Sequence, residues 1–186
     1  MQITSVDTIP IPRPHGFVVL NGSHASAIQM LKISAQLSVI GPVRILDCGN
    51  RCNAYYLAKE LRTITDDPVA AMNRIRLSRA FTCYQTETLL AHNRLLSNIP
   101  ILIFDLLSTF LDESVSTGEA KRLMIDTVGH LKYLSRKNPV IVGVKPLHSI
   151  RTERLFLLEM IKTSADEVYQ EAEESSLMET PQIRLF

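Results

Sequence analysis

Short apolar runs that stop at turn residues alternate along this chain with longer stretches of helical periodicity. Phe17-Val18-Val19-Leu20 is continuously apolar and stops at Asn21-Gly22, the pattern of a buried strand feeding a turn. The pattern recurs at residues 43–46, with Asp47 at the end, at Ile101-Leu102-Ile103-Phe104, which ends at Asp105, and at residues 140–144. Ile75 and Leu77 alternate with Arg74, Arg76 and Ser78, which predicts a further strand ending near Ala80. Val168 and Tyr169 predict a last short one. Between these runs, Ile28, Leu31, Ala35 and Leu37 or Ser38 keep helical spacing as far as Gly41-Pro42. Helices are also expected over 54–61, over 82–96 with Leu89, Leu90, Leu95 and Leu96 inward, and over 152–163. Ser116-Thr117-Gly118-Glu119 matches a capping box, opening a helix carried by Ala120, Leu123, Thr127, Leu131 and Leu134 and stopped at Asn138-Pro139.

Buried strands separated by helices predict an α/β fold, with a central, mostly parallel sheet flanked by helices. The 186 residues suit one domain. The proline-rich segment 1–15 reads as an extended arm, 16–170 as the domain, and 171–186 as a flexible, acidic tail.

Composition adds little. Apolar residues make up 46%, charged residues 21%, and the formal net charge is +1, so bulk charge points to neither a nucleic-acid nor a membrane partner. No apolar run approaches a membrane span, and the first residues lack the layout of a signal peptide. Three cysteines, Cys48, Cys52 and Cys83, suit a reducing cytoplasm. Cys48 and Cys52 are spaced C-x3-C, but no second ligand pair follows, so free thiols are expected and no metal site.

Ligands of open parallel sheets bind beyond the carboxyl ends of the strands. Three such ends carry marked residues: the turn after Leu20, Asp47 and Asp105. A phosphate-binding loop of the form G-x-x-x-x-G-K-[ST] belongs between a first strand and a helix. The segment here is Gly22-Ser23-His24-Ala25-Ser26-Ala27-Ile28-Gln29. Ala27 stands in place of the second glycine, Ile28 in place of the lysine, and Gln29 in place of the magnesium-holding hydroxyl.

Three further segments carry a family likeness. Residues 73–85, around Arg79-Ala80-Phe81-Thr82, resemble a stretch of the RecA-like recombinases of archaeal and eukaryotic type. Ile101 to Asp105 with Leu106-Leu107-Ser108-Thr109-Phe110 resembles their Walker B strand and the turn after it, and Gly118-Glu119 falls where that family opens its next helix. The likeness covers about residues 16–145 and implies a RecA-like P-loop-type domain in which Asp105 is the Walker B carboxylate. It also implies losses. Gly49 stands where the family has its catalytic glutamate, Val144-Lys145 where it has an asparagine–glutamine pair, and the long DNA-binding loop after that strand is missing. With the lysine, hydroxyl and glutamate gone, most of the charge stabilisation behind phosphoryl transfer is gone too. No ATP or magnesium is therefore expected as cofactor. The competing reading is an ATP-binding or weakly hydrolysing ATPase with a variant loop, in which Lys145 turns its charge toward the phosphates.

Arg74, Arg76 and Arg79 fall in one strand and are candidate DNA contacts; Lys121, Arg122, Lys132, Arg136 and Lys137 lie along one helix. Solvated faces look the same. Gln182-Ile183-Arg184-Leu185-Phe186, after Pro181 and an acidic stretch, resembles the bacterial sliding-clamp-binding pentapeptide. Gln182, Ile183, Leu185 and Phe186 are its candidate contacts, an apolar pair for a pocket with a glutamine to hydrogen-bond. Together the likenesses predict a non-catalytic RecA-like accessory protein of DNA repair, recombination or translesion synthesis. Its expected partners are a sliding clamp and another RecA-like subunit or a polymerase complex, with DNA met indirectly and no membrane. A scaffold or inhibitor of an active recombinase subunit is the third reading.

Overall fold

A computed structural model describes residues 3–5, 15–22, 24–145 and 153–170, with the side chains of 3–5 and 24–26 left aside. The expected α/β architecture is what the chain adopts. Among the described residues seven strands form one sheet: β1 (Ile3–Ser5), β2 (Gly16–Asn21), β3 (Val43–Asp47), β4 (Ile75–Arg79), β5 (Ile101–Phe104), β6 (Pro139–Val144) and β7 (Glu167–Gln170). Their order across the sheet is β1-β7-β2-β6-β5-β3-β4, and every pairing is parallel. Part of the expected N-terminal arm thus joins the sheet as β1, paired with β7.

The helices are α1 (His24–Ile40), α2 (Ala54–Ile64), α3 (Pro68–Asn73), α4 (Cys83–His92), α5 (Thr117–Ser135) and α6 (Leu155–Ser164). The chain steps one way across the sheet from β2 to β3 to β4, then returns through β5 and β6 to β7. Parallel crossovers are right-handed, so reversing direction moves the connecting helices to the other face. The core divides accordingly. Leu31, Leu57, Leu61 and Ala71 from α1–α3 pack with Leu20, Ile45, Leu102, Phe104 and Ile141. Leu90, Leu123, Leu131, Leu157 and Ile161 from α4–α6 pack with Phe17, Val19, Leu46, Ile103 and Val142. Neighbouring strand residues go to opposite layers, as the two-residue period of a strand requires.

The helix starts follow local chemistry. Asn53, Asp67, Thr82 and Ser116 each accept the N–H three residues on. At Ser116 only half of the expected box forms. Its hydroxyl takes the Glu119 N–H at 3.2 Å, while the Glu119 carboxylate takes Arg122 at 2.8 Å. A related reciprocal pair forms in the segment that carries the family likeness, with the glutamine reaching one residue before the cap. Thr82 Oγ1 accepts from Gln85 N, and Gln85 Oε1 accepts from Phe81 N at 2.8 Å.

Three expectations need correction. Residues 68–73 form the short helix α3, opened by Pro68 at its first turn and the Asp67 cap, so Arg74 caps that helix and is not part of β4. The helix expected over 82–96 ends at His92 and passes into a 3₁₀ turn at Asn93–Leu95. That tighter turn breaks the 3.6-residue spacing, and Leu95, expected inward, is 96% exposed.

Asn138 closes the junction between α5 and β6. It is fully buried, its Oδ1 accepts from Ile99 N at 3.1 Å, and its Nδ2 donates to Leu96 O and Leu134 O, each at 3.0 Å. Asn138→Ala orphans these buried groups and is expected to lower the unfolding free energy by about 2–4 kcal/mol, read from urea denaturation.

Candidate functional site

The carboxyl ends of β3, β4, β5 and β6 share a set of charged side chains. The β3 connection leaves toward α2, while those of its neighbours β4 and β5 leave toward the opposite face. Such reversals open the crevices in which ligands of parallel sheets sit.

Asp47, at the end of β3, has a side chain with no solvent access. Its Oδ1 accepts the Arg51 N–H at 2.8 Å, and its Oδ2 accepts the Cys52 N–H at 3.1 Å and Arg79 Nε at 3.3 Å. Two backbone donors and a guanidinium satisfy the oxygens of this buried carboxyl group. These bonds curl residues 47–52 into a tight turn, with Asn50 at φ 54°. The turn carries Gly49 against the end of β5 and aims Arg51 at Asp105.

Asp105 follows β5 in the left-handed region, at φ 51° and ψ 53°. Aspartate tolerates that region better than most residues. Its carbonyl starts the 3₁₀ turn Leu106–Phe110 by accepting from Ser108 N. Its Oδ2 lies 3.3 Å from Arg51 Nε and 3.8 Å from Lys145 Nζ, so cations from the ends of β3 and β6 converge on one carboxylate. Gly49 is packed against it. A Cβ at 49 would lie 2.5 Å from Asp105 Cβ and 2.6 Å from Oδ2. Glycine is required there by space.

The segment expected as a phosphate loop is mostly helix. Gly22 is tied to β6 through its N–H to Val144 O at 3.1 Å, and α1 starts at His24. His24, Ala25, Ser26, Ala27, Ile28 and Gln29 therefore lie in helical turns, and N–H groups from Ile28 onward belong to the helix's own ladder. Ser23 is outside the described residues. Ile28, in the lysine position, is 40% exposed. Beside the loop, Asn21 Nδ2 donates to Gln170 Oε1 at 2.6 Å, while the buried Asn21 Oδ1 has no hydrogen-bond partner among the described residues.

The arginines expected as one DNA-contacting strand part company. Arg74 Nη1 donates to Ser38 O and Val39 O and closes the end of α1, Arg79 holds Asp47, and Arg76 stands exposed on the edge strand β4. The clamp-motif residues Gln182, Ile183, Leu185 and Phe186 lie outside the described residues. Sequence reasoning missed Arg51. The available signal was the Asp47…Gly49-Asn50 turn, which puts a side chain back over the neighbouring strand end.

Cys48 and Cys52 are buried in different core layers, so the C-x3-C pair does not face a common point. The Cys48 Sγ accepts from Thr86 Oγ1, which also bonds Thr109 Oγ1. Burial pushes the Cys48 thiol up to about 12 and the Cys52 thiol up to about 11, with the Asp47 charge adding to both. Among the described residues no group of three His, Cys, Asp or Glu is placed to hold a metal ion. None of the described helices is long and apolar enough to cross a membrane.

Neither a family model nor a curated protein matches this chain.

Two outcomes follow from the geometry. Gly49→Ala forces Asp105 off its position and is expected to cost about 2–3 kcal/mol, measured by thermal or urea unfolding. The thiols give a pH dependence. The unfolded chain releases these protons from about pH 9, the ordinary thiol value, while the folded chain keeps them to about 11 or 12. Stability contributed by the neutral thiols is therefore complete below pH 9 and falls as pH rises above it. The urea midpoint should drop between pH 8 and 10, and drop less in Cys48→Ala.

Proposed function

We propose that this chain is a non-catalytic RecA-like accessory protein of DNA repair, recombination or translesion synthesis, working in the cytoplasm through contacts with other proteins. The observation that carries the non-catalytic part is the double engagement of Asp105. The carboxylate that the family likeness assigns to magnesium is held by Arg51 and Lys145 of the same chain. The surrounding residues fit a magnesium–nucleotide poorly. Position 49 has no room for a glutamate beside Asp105, and the lysine position carries the half-exposed Ile28. Lys145, the residue on which a variant ATPase would rely, spends its charge on Asp105.

The three buried thiols support a reducing compartment. The partner assignment rests on the sequence Gln182-Ile183-Arg184-Leu185-Phe186, whose glutamine and apolar side chains suit a clamp pocket. A polymerase complex or a second RecA-like subunit is the companion that such a clamp-docked protein would serve.

Binding of the full chain to the sliding clamp of its own host, measured by surface plasmon resonance, should fall at least about tenfold when residues 182–186 are removed. Equal binding by both forms removes the clamp from the proposal. Calorimetry with millimolar ATP and magnesium should show no binding. Magnesium-dependent ATP binding that Asp105→Ala abolishes would overturn the non-catalytic assignment.

A further inference from the structure

At the opposite end of the sheet, the terminal turns of α4 and α5 gather cations that no carboxylate among the described residues pairs with. Arg94, in the 3₁₀ turn after α4, and Lys132, Arg136 and Lys137, in and just after the last turns of α5, are all exposed. None of the four makes an ion pair among the described residues, whereas Arg51, Arg79, Arg122, Lys145 and Lys162 all do. The sequence keeps carboxylates away: residues 88–104 and 127–145 contain neither aspartate nor glutamate. Glu87, just before the first of these segments, is taken by His130 at 2.8 Å, and Glu159 on the neighbouring α6 is taken by Lys162.

Two of the cations, Arg94 and Lys137, are also positioned. Arg94 lies 4.3 Å from the centre of the Tyr133 ring, and Lys137 Nζ lies 6.0 Å from it. Lys132 and Arg136 are four residues apart and so share a helix face. The Asn98 N–H to Lys137 O bond and the three bonds of Asn138 fix the loop that bears Arg94 against the end of α5. Side chains held this way lose less freedom on binding than free lysines do.

Helix dipoles favour a cation or two at each C-terminus. Burial keeps carboxylates out of the strand parts of both segments; the exposed positions at the ends of α4 and α5 carry none either, and there four cations gather. We propose that this patch binds the phosphate backbone of double-stranded DNA without regard to sequence, on the end of the sheet away from Asp47 and Asp105. Phosphates supply dense negative charge to Arg and Lys, and exposed Ser97 and Asn98 add hydrogen-bonding groups of the kind that position such contacts. A bilayer asks for an apolar face as well, and Leu95 alone beside Arg94 does not make one. The assignment is independent of clamp docking, and a chain lacking residues 182–186 keeps the patch.

The test is binding of the full chain to a labelled DNA duplex of random sequence, across a salt series, by fluorescence anisotropy. Lys132→Gln/Arg136→Gln should weaken binding by about tenfold or more and flatten the plot of log affinity against log salt by about 1.8, roughly 0.9 for each phosphate no longer neutralised. Lys59→Gln/Arg62→Gln removes the same charge from α2 on the other face of the sheet and should change neither quantity. Equal weakening by both pairs reduces the effect to bulk charge and overturns the proposal. So does a fall in melting temperature for Lys132→Gln/Arg136→Gln with duplex binding intact, which confines the cations to stabilising α5. Absence of duplex binding overturns it too, and capture on anionic vesicles or polyglutamate in its place assigns the patch to those partners.

Discussion

A carboxylate without access to water has to be satisfied from within the protein, and Asp47 meets that condition with two backbone N–H groups and the Arg79 guanidinium. These partners serve two structural decisions. The N–H groups of Arg51 and Cys52 set the turn between β3 and α2. The guanidinium ties down the end of β4, where the Ala80 N–H also meets Asp47 O. Once the turn is set, Gly49 abuts Asp105 and Arg51 reaches it. Removing the Asp47 carboxyl group would undo the turn, and the contacts made at Asp105 would go with it.

The carboxyl end of the sheet and the basic patch therefore handle charge in opposite ways. At the carboxyl end, Asp47 and Asp105 are matched by Arg79, Arg51 and Lys145. At the amino end, Arg94, Lys132, Arg136 and Lys137 sit in stretches of chain that hold no carboxylate. The formal net charge of +1 hides this difference, because a whole-chain sum averages a neutralised cluster with an open one. An active phosphoryl-transfer enzyme would show the reverse at its strand ends, with charges left open for metal and phosphate.

Much of the layering was legible in the sequence because a strand buried on both faces has to be apolar throughout, as in Ile101-Leu102-Ile103-Phe104 and in residues 140–144. The parallel order followed from strands separated by helices. Features governed by a few residues were harder to read. The helix α3 is six residues long, too short to display a period, and its only marks are the Asp67 cap and Pro68. Leu95 fits a helical stripe but falls after the switch to a 3₁₀ turn, where that stripe no longer points inward. In the candidate site, Asp47 and Asp105 stood out as strand-end aspartates, and Lys145 as a strand-end cation. Arg51 did not, because the Gly49-Asn50 pair signals a turn but not how far that turn folds back across the sheet. The same holds for Arg94 and Lys137, which meet only across the Tyr133 ring.

The contact between Gly49 and Asp105 also bears on the paths open to this sequence in evolution. A glutamate at 49 would have its Cβ 2.5 Å from Asp105 Cβ, a distance no side-chain rotation relieves, because both atoms are fixed by backbone. The order of substitutions therefore matters. Asp105 must first leave its left-handed conformation or shift with the end of β5, and it is held there by cations from two other strand ends. A one-step replacement of Gly49 by glutamate is therefore closed to the chain, and a route through several steps begins by dismantling the ion pairs that stabilise Asp105.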